Sequence, residues 1–147
     1  MQNIKKQFEN EGFFAPIDAL SASDLADVVH KHEQLQQKIK QYFGAPQRFK
    51  LHLLVNWLAD IVRHKNIVDA VEQIIGPNIL CWSTDFFIKL PHDPSFVSLH
   101  QDCTYAGLTP FDGVVNVWVA LTPSTKASGC LQVVPGSHTL GQLSHHQ

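Results

Sequence analysis

Arginine is nearly absent from this sequence: Arg48 and Arg63 are the only two. Lysine, aspartate and glutamate carry most of the charge, and the net value is only −2. That balance leaves no basic patch for nucleic acid and no acidic tail for a disordered segment. Cysteine is scarce as well. Cys81, Cys103 and Cys130 form no Cys-x-x-Cys pair and leave an odd thiol, which excludes a disulfide scaffold and predicts buried free thiols in a reducing compartment. No run approaches the roughly 18–20 apolar residues of a membrane span. Lys5 and Lys6 are followed by no continuous apolar stretch of the kind a signal peptide needs. The sequence also lacks a Gly-x-Ser-x-Gly elbow, a His-Glu-x-x-His pair, a glycine-rich phosphate loop and a heptad repeat. What remains is a soluble cytoplasmic chain, predicted to meet a small molecule rather than nucleic acid or a membrane.

With 147 residues, 44% of them hydrophobic, the chain can bury one sizeable core, so a single domain over 1–147 is expected. Residues 1–20 hold Phe8, Phe13, Phe14 and Ile17 between Gly12 and Pro16, the pattern of a short helix running into an edge strand or turn. Ser21-Ala22-Ser23-Asp24 then opens a helix. Its apolar positions Leu25, Val28, Val29, Leu35, Ile39 and Phe43 recur at helical spacing until Gly44 and Pro46. His30 and His32 cannot share a face of that helix, so they make a poor metal pair. Leu51, Leu54, Val55, Leu58, Ile61 and Val62 predict a second amphipathic helix. Ile67, Val68, Val71, Ile74 and Ile75 predict a third, capped by Asn66 and stopped by Gly76-Pro77. A helical layer over about 1–77 follows, set to pack on one face of a sheet.

From residue 78 the period changes. Leu80, Trp82, Thr84, Phe86, Ile88 and Leu90 alternate with Cys81, Ser83, Asp85, Phe87 and Lys89. This predicts a strand whose even face lies against the helices and whose odd face, with Asp85 and Lys89, is wetter. Val114–Leu121 alternates likewise, placing Asn116, Trp118 and Ala120 on one face, and Leu131–Val134 is a third short strand. Short strands between Gly/Pro turns suit a jelly roll.

The chemistry centres on His100-Gln101-Asp102. In an extended segment residues two apart leave the same face. An imidazole and a carboxylate would therefore converge and supply two of the three ligands of a facial triad. Such a pair also occurs on ordinary surface strands. The order His100-Gln101-Asp102, Trp118-Val119-Ala120-Leu121, Gly129-Cys130-Leu131 and Pro135-Gly136-Ser137-His138 resembles the phytanoyl-CoA dioxygenase family of Fe(II)/2-oxoglutarate oxygenases, over about Gly76 to His138 and more loosely back to Phe8.

The resemblance implies an α+β fold, with N-terminal helices packed on a partial double-stranded β-helix, or jelly roll, over about 78–147. It implies Fe(II) held by His100 and Asp102, with 2-oxoglutarate as cosubstrate and O₂ as oxidant. It places Trp118 beside 2-oxoglutarate and suggests that basic Arg48 or Lys50, upstream of the metal motif, reaches the cosubstrate. Asp85, Lys89 and Tyr105 are further candidate pocket residues. A carboxylate at Asp102 implies hydroxylation, because related halogenases carry a small residue there. The family's third ligand, a distal histidine, and its 2-oxoglutarate arginine belong on a later strand beyond Pro135–His138. His138 reads as a turn residue, and His145 and His146 as loop residues. The chain is thus expected to be the N-terminal part of such a domain, prone to self-association through exposed sheet edges. The competing reading is a non-catalytic interaction module; a zinc hydrolase using a tail histidine lacks any second ligand cluster.

Overall fold

The computed structural model describes residues 3–43, 49–110 and 113–144. Among the described residues the α-helices are α1 Ile4–Glu11, α2 Ala22–Phe43, α3 Asn56–Val62, α4 Lys65–Ile75 and α5 Asp102–Ala106. Short 3-10 turns lie at Leu51–Leu53 and Ser137–Leu140.

Local chemistry accounts for the helix ends. The Asn3 side chain accepts from the Lys6 amide at 2.9 Å and starts α1. Gly12 ends it with φ +79°, donating its amide to Phe8 O. At α2, the Asp24 amide donates to Ser21 Oγ at 3.1 Å while the Ser21 amide donates to Asp24 Oδ2 at 3.4 Å. This is a reciprocal capping box, with Asp in place of Glu. The Ser21 hydroxyl also donates to that carboxylate at 2.6 Å, which holds Asp24 below its ordinary pKa. The predicted stop at Gly44 and Pro46 lies outside the described residues.

Two helix expectations need correction. The run Leu51–Val62 is not one helix. A 3-10 turn closes with the Leu54 amide on Leu51 O, Val55 adopts an extended conformation, and α3 begins at Asn56. The break turns Leu54 out to solvent at 81% exposure, whereas a continuous helix would have kept it on the apolar stripe. Asn66, expected as the cap of α4, lies inside that helix. Its amide instead donates to Ala19 O at 3.0 Å and ties the α1–α2 connection to α4. Gly76 ends α4 as expected, with its amide on Glu72 O.

The core is wholly helical. Val28, Ile39, Leu51, Leu58, Ile67, Ala70 and Val71 are the buried apolar residues described. Around Ile39, Leu51 and Leu58 pack Leu35, Val55, Trp57, Ile61 and Phe86. Each fully buried Leu or Ile of this cluster contributes roughly 1.5–3 kcal/mol by removal from water. α1 packs on α4, and α3 on α4 and the first 3-10 turn.

The expected β-half is not found, and the α+β jelly-roll, or double-stranded β-helix, expectation is overturned. No β-strand exists among the described residues. Leu80 is 86% exposed and Leu90 66%, so the even face of 80–90 is not laid on the helices. Only Phe86 reaches the core, where the Lys50 amide donates to Thr84 O at 2.8 Å and His52 Nδ1 meets Thr84 Oγ1 at 2.9 Å. Alternation reports a side-chain pattern fit for a half-buried pleat. A strand also needs a neighbour in register for its N–H and C=O groups. Segments 78–100 and 114–134 make no ladder with one another among the described residues. The three cysteines form no disulfide, as read, but are half-buried rather than buried. Burial still raises the Cys81 thiol above its ordinary pKa. No described helix is long and apolar enough to cross a membrane.

Candidate metal-binding corner

His100 and Asp102 do converge, though not on a strand. Gln101 is extended (φ −115°, ψ 117°) and serves as N-cap, while Asp102 is the first residue of α5. Across this corner His100 Nε2 lies 2.9 Å from Asp102 Oδ1. The side chains are 30% and 56% exposed, so the pair is open to solvent and to a ligand.

The hydrogen bonds around the pair define its chemistry. His100 Nδ1 sits 2.7 Å from Ser98 O. A carbonyl only accepts, so Nδ1 carries the proton and donates. In the neutral ring Nε2 then presents a lone pair, and it faces a carboxylate oxygen that is also an acceptor. Two acceptors at 2.9 Å require a proton or a cation between them. Asp102 Oδ2 is engaged by the Asn116 amide, which donates to it and leaves Oδ1 as the oxygen turned to His100. The donor set therefore fits a cation ligated by one imidazole nitrogen and one carboxylate oxygen, with a carbonyl and an amide orienting the ligands. No group of three or more His, Cys, Asp or Glu side chains is gathered for a metal among the described residues.

The other candidates are placed on different partners. Trp118 stacks at 5.5 Å between ring centroids on Phe87, tilted 38°. Lys50 Nζ lies 4.8 Å over the Trp82 ring. Lys89 packs across Gly129, where an added Cβ would fall 2.6 Å from Nζ. Asp85 is half-buried. Tyr105 belongs to α5, but its side chain, together with Arg48, His145 and His146, lies outside what is described. His138 holds a turn, as read: its Nε2 donates to Glu9 O at 3.0 Å, and the Gly136 amide donates to Glu11 O at 2.8 Å. Pro135–His138 thereby grips the C-terminal end of α1. A Cβ at Gly12 would meet His138 Nδ1 at 2.5 Å, so only glycine fits this crossing.

Asn116 was not singled out from the sequence as a partner of the pair. Its signal was present in the period-two register it shares with Trp118, but an amide carries no chemistry of its own to attract notice. Gln101 carries no such signal either, since in an extended segment it leaves the face opposite to His100 and Asp102.

The described chain is thus a helical layer followed by a solvent-open His-x-Asp corner. The family model for phytanoyl-CoA dioxygenase matches residues 8–146, and the chain belongs to that family. It is 39% identical over 81 residues to mouse phytanoyl-CoA dioxygenase domain-containing protein 1, covering 54% of this chain and 28% of that protein. Human peroxisomal phytanoyl-CoA dioxygenase is 37% identical over 83 residues, 54% of this chain and 24% of the relative. A longer match, 28% identical over 137 residues, covers 93% of this chain and 40% of zebrafish phytanoyl-CoA dioxygenase domain-containing protein 1. The chain thus spans well under half the length of these curated relatives. No solved structure matches it.

Proposed function

We propose that this chain carries the metal-binding half-site of an Fe(II)- and 2-oxoglutarate-dependent dioxygenase that hydroxylates an unactivated C–H bond of a small organic or acyl substrate. The observation that carries the reading is the His100 Nε2–Asp102 Oδ1 contact, which brings an imidazole nitrogen and a carboxylate oxygen to 2.9 Å while Nδ1 donates to Ser98 O. Family membership supports the choice of iron and 2-oxoglutarate over another metal and cosubstrate. When bound, the iron centre supplies the oxidation in which O₂ and 2-oxoglutarate yield hydroxylated product, succinate and CO₂.

The residues present have separate tasks. His100 and Asp102 would hold the iron as two of its protein ligands, leaving room for a third ligand, cosubstrate and O₂. Ser98 O fixes the imidazole tautomer, and the Asn116 amide holds the carboxylate so that one oxygen faces inward. A carboxylate at Asp102 fills a coordination position that a halogenase would keep for halide, which favours hydroxylation. Trp118, Lys50, Asp85, Lys89 and Tyr105 are assigned to the cosubstrate side by the resemblance.

The test is an anaerobic titration with Fe(II) and 2-oxoglutarate, following the visible charge-transfer band of the chelate. The band is expected in wild type and absent in His100→Ala and Asp102→Ala. No band in folded wild type, or equal bands in all three proteins, would overturn the proposal.

A further inference from the structure

Between the two proposed ligands stands Gln101, whose side chain makes the most concentrated long-range polar contact of the metal motif. Its Nε2 donates to Gly141 O at 2.8 Å. Its Oε1 accepts the Leu143 amide at 2.7 Å and Gln142 Nε2 at 3.1 Å. Gln142 Nε2 also donates to Thr104 Oγ1 at 2.6 Å, joining the same segment to α5. The carboxamide thus grips a backbone carbonyl and a backbone amide two residues apart, as a neighbouring strand would. Its orientation is fixed, because Gly141 O can only accept and Leu143 N can only donate.

We infer that Gln101 is the positioning residue of the His100–Asp102 pair, locking the corner through the 141–143 backbone; this rests on the pair being a metal site. The peptides on either side of Gln101 carry the two ligands. A rotation about its backbone would swing His100 and Asp102 apart, and the two-point grip opposes that rotation. The demand on residue type is narrow. Glutamate keeps the acceptor for Leu143 but sets a second acceptor against Gly141 O. Asparagine is one methylene short, and lysine or arginine offers no acceptor. Because coupling is reciprocal, metal bound at the corner must in turn tighten the 141–143 segment.

Mn(II), which takes the same nitrogen and oxygen ligands, serves as the probe. Binding is read from loss of the free-ion electron paramagnetic resonance signal, and the segment from hydrogen exchange at the Leu143 amide. Gln101→Ala is expected to weaken Mn(II) binding roughly tenfold and to speed Leu143 exchange in metal-free protein. Gln101→Glu, which keeps one arm, should fall between. Asp102→Ala should abolish Mn(II) binding yet leave Leu143 protected without metal, and in wild type Mn(II) should slow Leu143 exchange further. Should Gln101→Ala lose its helical circular dichroism, the Gln101→Glu result decides. Mn(II) affinity unchanged in a folded Gln101 variant whose Leu143 exchange has risen would overturn the positioning role alone. Absence of Mn(II) binding in wild type would overturn the metal reading and this role with it.

Discussion

His32 shows how a residue dismissed as a ligand acquires another task. It lies on α2 with its ring 4.6 Å from Phe86, linking the helical layer to the one residue of 80–90 that reaches the core. Burial lowers its pKa from the ordinary 6.5, against a smaller opposing influence of Glu33. The unfolded chain therefore binds the proton more readily than the folded one. The stabilisation is complete above pH 6.5 and is lost as pH falls through the folded-state value. Urea midpoints at about pH 7.5 and about pH 5 should differ less in His32→Phe, which keeps the ring contact without the titration, than in wild type. An equal pH dependence in both would sink the idea. Asn116 and Gln101 belong to the same scale. Neither has a chemical signature in sequence, and each becomes visible only through the partner that the fold brings to it.

Among the elements, α1, α2 and α4 were legible, whereas the strands expected from residue 78 onward are absent among the described residues and α5 stands where an extended segment was expected. Val28 and Ile39 of α2, and Ile67 and Val71 of α4, were read from helical spacing and are buried. Helices close their own hydrogen bonds, so a local pattern suffices to form them. The capping box of α2 was also readable, and it leads to a prediction. Ser21→Ala removes the acceptor of the Asp24 amide and should cost about 1 kcal/mol of stability by thermal or urea denaturation. A loss under about 0.3 kcal/mol would mean that the cap is frayed in solution. The break between Leu53 and Asn56 was not readable, since the apolar spacing continues across it unchanged.

Over the whole molecule, burial and exposure divide along the sequence. The last buried apolar residue described is Val71, and although Phe86 packs on the core, Leu80, Phe96, Val97, Leu99, Leu131 and Val134 are all more than half exposed. Exposed apolar residues in that number favour association. The expected sheet edges are absent among the described residues, so contact would run through these exposed apolar side chains instead. Sedimentation velocity of the 147-residue chain should show concentration-dependent association, weakened by Leu131→Lys together with Val134→Lys. A monomer at every concentration would remove this expectation, and a monomer that also turns over 2-oxoglutarate would rule out a non-catalytic interaction module.

The sequence by itself determined the family, the helical layer and the identity of the His100–Asp102 pair, because motif order, helical periodicity and ligand chemistry are local properties. Tertiary structure alone decided that no strand ladder forms over the described residues of 78–134, that Pro135–His138 grips α1, and that Asn116 and Gln101 hold the His100–Asp102 corner. Each of those outcomes depends on hydrogen-bond partners distant in sequence, and no local pattern specifies whether such a partner arrives.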